Sequence, residues 1–296
     1  REEASKIGVE ILKKGGNAFD AMIATDLALA VSYQSAGNIG GGGFMVYREA
    51  NGKTGALDYR EKAALTATKD MYLDDNGNII EGMSLVGAMA IGVPGTIAGI
   101  FEVHSKFGSL PIEELFQPAI DLAKNGIIVT KKQSNRIKRH QNYFKLVNKE
   151  KILFQEKINQ GDILKFPKLA NTLDRIMKNG RDEFYKGETA KKLVNFISDN
   201  NGIISLKDLE LYKAIWRDPI EFRYDNLKII SMSPPSSGGI CLEQIMKMIE
   251  PYDIHKMGHN SLDYFKLLVE AERRSFADRS YYLGDPDFVN IPKEEI

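Results

Sequence analysis

The sequence predicts a helix-rich mixed fold, helices with fewer strands, in one layered domain over residues 1–296. Three observations predict it. Apolar residues recur at helical spacing in segments that end on glycine or Asn-Gly. One segment, "AFDAMIATDLALAV", is apolar nearly all round, as a buried central helix must be. Two strand-like runs, 44–48 and 55–60, flank "EANGKT", whose Asn-Gly is a hairpin signal.

Taken in order, Ile7, Ile11 and Leu12 place a first helix that Gly15-Gly16 ends. Asn17 caps the central helix and Asp20 sits in its first turn, where a carboxylate meets unpaired amides. Four consecutive glycines follow in "SAGNIGGGGFMVY", before the first strand. Glycine loses the most chain entropy on folding, so four together mark a sharp bend or a very close approach. "DDNGN" at 74–78 is a surface turn. "AMAIGVPGTIAG" reads as a short strand, a Pro-Gly break and a helix from about Thr96. "PIEELFQPAIDLAKNG" is an amphipathic helix closed by Asn125-Gly126. The run "KKQSNRIKRH" reads as a solvated helix or loop face. Helices are expected at 168–179, 188–199 and 205–212, the last opened by a Ser205/Asp208 capping pair. "NLKIISMSP" is a strand, and a long helix is expected over 261–283.

Composition narrows the function. Lys+Arg and Asp+Glu number 40 each, so no global field favours nucleic acid or an anionic membrane. No apolar run approaches the ~20 residues of a membrane span. The opening "REEASKIG" lacks a signal-peptide core, so any such segment is expected to have been removed. The single cysteine, Cys241, excludes a disulfide within the chain and reads as a small buried apolar residue.

Four features invite a chemical reading. The glycine run resembles a phosphate cradle in composition only: such loops run strand, glycines, helix, and here the order is helix, glycines, strand. A tight buried turn is the better reading. In "PPSSGG", Ser236 or Ser237 is a conceivable nucleophile, but a serine capping the helix that starts near Gly239 is favoured. His255 and His259 have a metal-ligand spacing that Gly258 interrupts, and no metal site is expected. Arg60, in "LDYREKA", ends a strand just past the glycines, with Asp58 and Glu61 as sequence neighbours. Its guanidinium is permanently charged and shaped to hold a carboxylate at two points.

Several long stretches then converge. "GVEILKKGGNAFDAMIA", "AGNIGGGGFMVYR", "LDYREKA", "GVPGTIAG", "SMSPPSSGGICLEQI", "DEFYKGETA", "DLELYKAIWRDPI" and "ADRSYYLGDPDFV" together resemble the large subunit of γ-glutamyltranspeptidase over nearly the whole chain. The resemblance implies an α+β fold, a four-layer αββα sandwich of the N-terminal-nucleophile hydrolase type, completed by a small subunit after autoproteolysis of a zymogen. It implies that the nucleophile is the small subunit's N-terminal threonine, and that no catalytic residue lies in this chain. Glutathione and related γ-glutamyl compounds would be donors; water, amino acids or peptides would be acceptors. No cofactor is implied, and the family is usually periplasmic or secreted. In the family's "D-[FY]-R-E" motif the arginine holds the donor's α-carboxylate; here that residue is Arg60. Two positions depart from the pattern: Ala64 replaces a common proline, and "SYQS" replaces a His-Pro-containing stretch before "AGN", which bears on acceptor preference. The competing expectations are a glutaryl or cephalosporin acylase of the same fold and a non-catalytic binding protein.

Overall fold

The computed structural model describes residues 1–292 and 295–296. They form two compact units: residues 1–43 with 59–214, and residues 44–58 with 215–296.

The first unit is mostly helical. Helix α1 (Glu2–Lys13) packs on α2 (Ala18–Ser32), and Gly8 makes that approach possible, since a Cβ there would collide with Thr25 Oγ1. Asn17 and Asp20 form the expected capping box: the Asn17 side chain accepts from the Phe19 and Asp20 amides, and Asp20 accepts from the Asn17 amide at 2.9 Å. Asp20 is fully buried and also takes the Ser109 amide at 3.1 Å and the Ser109 hydroxyl. Burial raises its carboxyl pKa, but the Ser109 hydroxyl and the backbone donors outweigh burial and hold it below 3.8. A depressed acid contributes stability above its unfolded pKa and loses it as pH falls through the folded one. Asp20→Asn, which swaps one acceptor oxygen for a donor, is therefore expected to cost about 1.5–3 kcal/mol at neutral pH, the range for hydrogen bonds to a charge. In urea titrations the gap from wild type should narrow as pH drops below 3.8. A gap that stays constant across that window would refute the ionic role.

Within α2, Ile23, Ala24, Leu27, Ala28, Ala30 and Val31 are all buried, as a helix apolar on every side requires. Past the glycines, the chain enters strands β1 (Phe44–Arg48) and β2 (Thr54–Asp58) of the second unit and returns at Tyr59. The first unit then continues through α3 (Thr96–Phe107), α4 (Ile112–Asn125), β3 (Ile127–Ile128) and α5 (Lys131–Val147). Strand β4 (Ile163–Leu164) pairs antiparallel with β3 and leads into α6 (Pro167–Asn179). Last come α7 (Arg181–Tyr185), α8 (Glu188–Asp199) and α9 (Leu206–Leu211), with α9 opened by the Ser205/Asp208 box. The basic run is helix α5, capped by Thr130 with Gln133. Its face is not uniformly solvated: Arg136 bonds Ser35 and lies 5.9 Å from the Tyr33 ring.

In the second unit, β1 pairs antiparallel with β2 (Phe44 opposite Asp58), and β2 with β5 (Ile215–Arg217). A separate hairpin joins β6 (Ile220–Tyr224) and β7 (Leu227–Ser231). Helices α10 (Gly238–Ile249), α11 (Ile254–Met257) and α12 (Leu262–Tyr282) complete it.

Three expectations need correction. The second strand ends at Asp58, so Arg60 lies two residues beyond it rather than on it. The short strand before Pro94 is a 3-10 turn, Ala88–Ala90, followed by a single bridge between Lys62 and Val93. The serine bond at the start of α10 does not come from the N-cap: Ser237 makes no side-chain cap bond, and the Ser236 hydroxyl accepts the Gly238 amide, the first of the helix, at 3.2 Å.

Candidate functional site

The segment Tyr59–Leu65 carries Arg60, and nearly every stretch of its backbone is held. Tyr59 and Gly43 exchange two hydrogen bonds, at 3.0 and 3.2 Å. The Arg60 carbonyl accepts from the Tyr212 hydroxyl at 2.7 Å. Lys62 and Val93 exchange two more bonds, at 3.2 and 2.7 Å. The Leu65 amide donates to Asp208 at 2.6 Å. Asp208 is buried; burial raises its pKa, but Ser205 and the Leu65 amide outweigh that and keep it low. The carboxylate that caps α9 is thus also the anchor for the segment leaving Arg60.

Glycines make the close approach possible. None of Gly40 to Gly43 adopts left-handed backbone, so they are not there for an unusual dihedral. They are there for space. A Cβ on Gly42 would lie 2.8 Å from the Glu61 amide nitrogen and 3.0 Å from the Arg60 carbonyl carbon, and nearer still to the Tyr59 carbonyl oxygen. A Cβ on Gly43 would lie 2.9 Å from the Tyr59 ring, and one on Gly92 2.8 Å from Glu61 Cβ. On Gly95 it would strike the Tyr59 carbonyl and the Tyr212 hydroxyl; on Gly99, the Tyr59 ring. The Gly41 carbonyl accepts from the Gly95 and Thr96 amides at 2.7 and 3.0 Å, joining the two glycine stretches and filling two open donors at the start of α3. Five glycines therefore enclose Tyr59–Glu61. The sequence pointed to a close approach at the four-glycine run; it carried no sign that Gly92, Gly95 and Gly99 close on the same residues.

Tyr59 is buried, and burial together with the nearby Asp26 carboxylate raises its phenol pKa, so at neutral pH it is a neutral packing group. Arg60 and Glu61, by contrast, are exposed. The arrangement is a rigid backbone presenting a cationic fork and an acid from a fixed position, suited to holding a carboxylate rather than to proton transfer. Asp58 is engaged elsewhere, buried in the second unit and paired with Arg217 at 2.8 Å.

Ser237 accepts from Arg279 Nε at 3.0 Å, and no histidine bonds Ser236 or Ser237 among the described residues. His255 lies in α11, His259 follows Gly258 outside it, and the described residues contain no group of three or more His, Cys, Asp or Glu fit for a metal. Cys241 is buried, as expected. Of the two departures from the family pattern, Ala64 is buried. Tyr33, Gln34 and Ser35 line a cavity of about 510 Å³ together with Gln133, Arg136 and His140 of α5. No described helix is long and apolar enough to cross a membrane.

Comparison with known proteins gives the same answer as the motifs. The gamma-glutamyltranspeptidase family model matches residues 4–296. The glutathione hydrolase proenzyme of Escherichia coli K12 is 44% identical over 297 residues, covering 98% of this chain and 50% of that protein. The chain thus spans about half the length of the curated relatives it matches. A crystal structure of Helicobacter pylori gamma-glutamyltranspeptidase superposes with a TM-score of 0.96 at 41% identity, over 99% of this chain and 85% of that one. The Pseudomonas nitroreducens gamma-glutamyltranspeptidase complexed with L-DON gives 0.93 at 45% identity, over 100% and 88%. The α+β fold of the N-terminal-nucleophile type, expected from the motifs, is the fold this chain has. The chain belongs to the gamma-glutamyltranspeptidase family.

Proposed function

We propose that residues 1–296 act as one domain, the large subunit of an enzyme that transfers or hydrolyses the γ-glutamyl group of glutathione and related compounds. Arg60 grips the donor's α-carboxylate, and the reacting groups belong to a small subunit released from the same precursor. The observation that carries this reading is the fixed Arg60 segment, enclosed by glycines and tied at Tyr59, Arg60, Lys62 and Leu65, in a chain matched end to end by one family. A two-point guanidinium clamp is worth most when it is pre-organised, because little ordering remains to be done on binding.

In the proposed reaction the small subunit's N-terminal threonine Oγ attacks the donor's γ-carbonyl carbon, and the free α-amine of that threonine takes the hydroxyl proton. Small-subunit backbone amides hold the oxyanion. The amide C–N bond breaks, the departing amine takes up the proton, and a γ-glutamyl ester remains. Water or an amino acid then attacks the ester carbon and restores the threonine hydroxyl. Throughout, this chain's part is to fix the donor's far end so that the γ-carbon meets the nucleophile. No metal or organic cofactor takes part. The place of action is the periplasm or the cell exterior.

The test is to purify the full-length protein after maturation, sequence the N-terminus of the chain that accompanies residues 1–296, and compare hydrolysis of glutathione with that of a glutaryl amide. The expected result is a threonine start and turnover of glutathione well above the glutaryl compound, which keeps the terminal carboxylate but lacks the α-amino group of the γ-glutamyl donor. A preference for the glutaryl amide would make the protein an acylase. Absence of a second chain, or a blocked start with no turnover, would make it a binding protein.

A further inference from the structure

We propose that Tyr212 is the positioning residue for Arg60: its hydroxyl, by holding the Arg60 main-chain carbonyl, sets where the guanidinium meets the donor. This rests on the reading of Arg60 given above and adds a second residue to it. The hydroxyl donates to the Arg60 oxygen at 2.7 Å across 152 residues of sequence. Tyr212 is buried, and its ring stacks on Tyr185 at 5.7 Å with planes 9° apart. Tyr185, 1% exposed, donates its hydroxyl to the Pro94 carbonyl at 2.9 Å and accepts from the Ala98 amide at 3.2 Å. Arg181 lies over the Tyr185 ring at 4.2 Å and donates to the Tyr212 carbonyl.

These contacts close on themselves. Tyr185 fixes the stretch around Pro94; the adjoining Gly95 runs so close to the Tyr59 carbonyl that a Cβ there would strike it; Tyr212, stacked on Tyr185, grips the next carbonyl along. Gly95 also leaves room for the Tyr212 hydroxyl, which a Cβ there would strike. Two residues of one carboxylate-binding segment are thus located by a pair of stacked tyrosines from the far end of the same unit. A hydroxyl serving only the stability of the fold could bond any carbonyl nearby. This one bonds the residue that bears the fork, so small shifts there move the guanidinium.

The experiment is Tyr212→Phe in the mature full-length enzyme, measured with γ-glutamyl-p-nitroanilide and with γ-aminobutyryl-p-nitroanilide, which lacks the α-carboxylate. Losing one hydrogen bond of ordinary strength should raise KM for the γ-glutamyl donor about three- to tenfold, with kcat within about twofold. The γ-aminobutyryl donor should be unaffected. In a cycle with Arg60→Ala, the Tyr212→Phe effect should vanish once the guanidinium is gone. Equal losses on both donors, or additive effects in the cycle, would overturn the inference while leaving Arg60 in its role. An Arg60→Ala enzyme as active as wild type would remove the reading of Arg60 and this inference with it.

Discussion

Arg60→Ala is expected to lower kcat/KM for γ-glutamyl-p-nitroanilide by about 30- to 3000-fold, with most of the loss in KM. The range follows from the 2–5 kcal/mol that truncating one partner of a desolvated charge pair costs, at 1.4 kcal/mol per factor of ten. The loss falls on KM because the α-carboxylate is remote from the bond being broken, so its contact is made equally in ground and transition states. Lysine in the same place keeps the charge but not the fork, and should recover part of the loss only. The fold should be spared: Arg60 is exposed, and the Tyr212 bond is to its main chain, which alanine retains. Activity within twofold of wild type would sink the assignment.

The second large effect belongs to Gly42→Ala. The added methyl meets main-chain atoms of Tyr59, Arg60 and Glu61, two of them at 2.8 and 3.0 Å and the third closer. Backbone held by its own hydrogen bonds cannot give way as a flexible side chain can. A destabilisation of about 1–3 kcal/mol or more is expected, as for other overpacked interiors. Gly41→Ala is the control. Its Cβ would come no nearer than 3.4 Å, and then only to side-chain atoms of Asn38 and Glu61, so it should be close to neutral. Thermal unfolding and the yield of mature enzyme distinguish the two. A Gly42→Ala protein that folds normally yet loses donor binding selectively would show that the glycine contacts ligand rather than chain.

How far the sequence reached depended on how local each signal was. The Asn17/Asp20 and Ser205/Asp208 caps, the buried α2 and the α12 span all rest on spacing within a few residues, and the structure has them where expected. Helix α7 does not show in the sequence because five residues are too few to reveal a period. Strands β5 and β6 do not show because their register comes from pairing partners, not from their own pattern. At the proposed site, Arg60 stands out in the sequence because the motif that carries it is contiguous. Its supports do not: Gly95, Tyr185, Asp208 and Tyr212 stand 35 to 152 residues away, and a lone glycine or tyrosine carries no mark of what it will touch. At α10 it is Ser236, not the N-cap Ser237, whose hydroxyl takes a helix amide. Ser237 is the N-cap in helical backbone, where its hydroxyl accepts from Arg279 instead of from a helix amide.

The two glycine stretches that meet Tyr59–Glu61 lie about fifty residues apart in the chain, and the stacked Tyr185 and Tyr212 follow roughly 90 and 115 residues later. Closing loops of that length costs entropy before any contact repays it, so distant pairings form late. The placement of residue 60 therefore depends on contacts that each close a long loop. If Arg60 holds the donor as proposed, a chain with its helices formed but these distant pairings unmade would lack a fixed Arg60, and donor binding would report whether those pairings have closed.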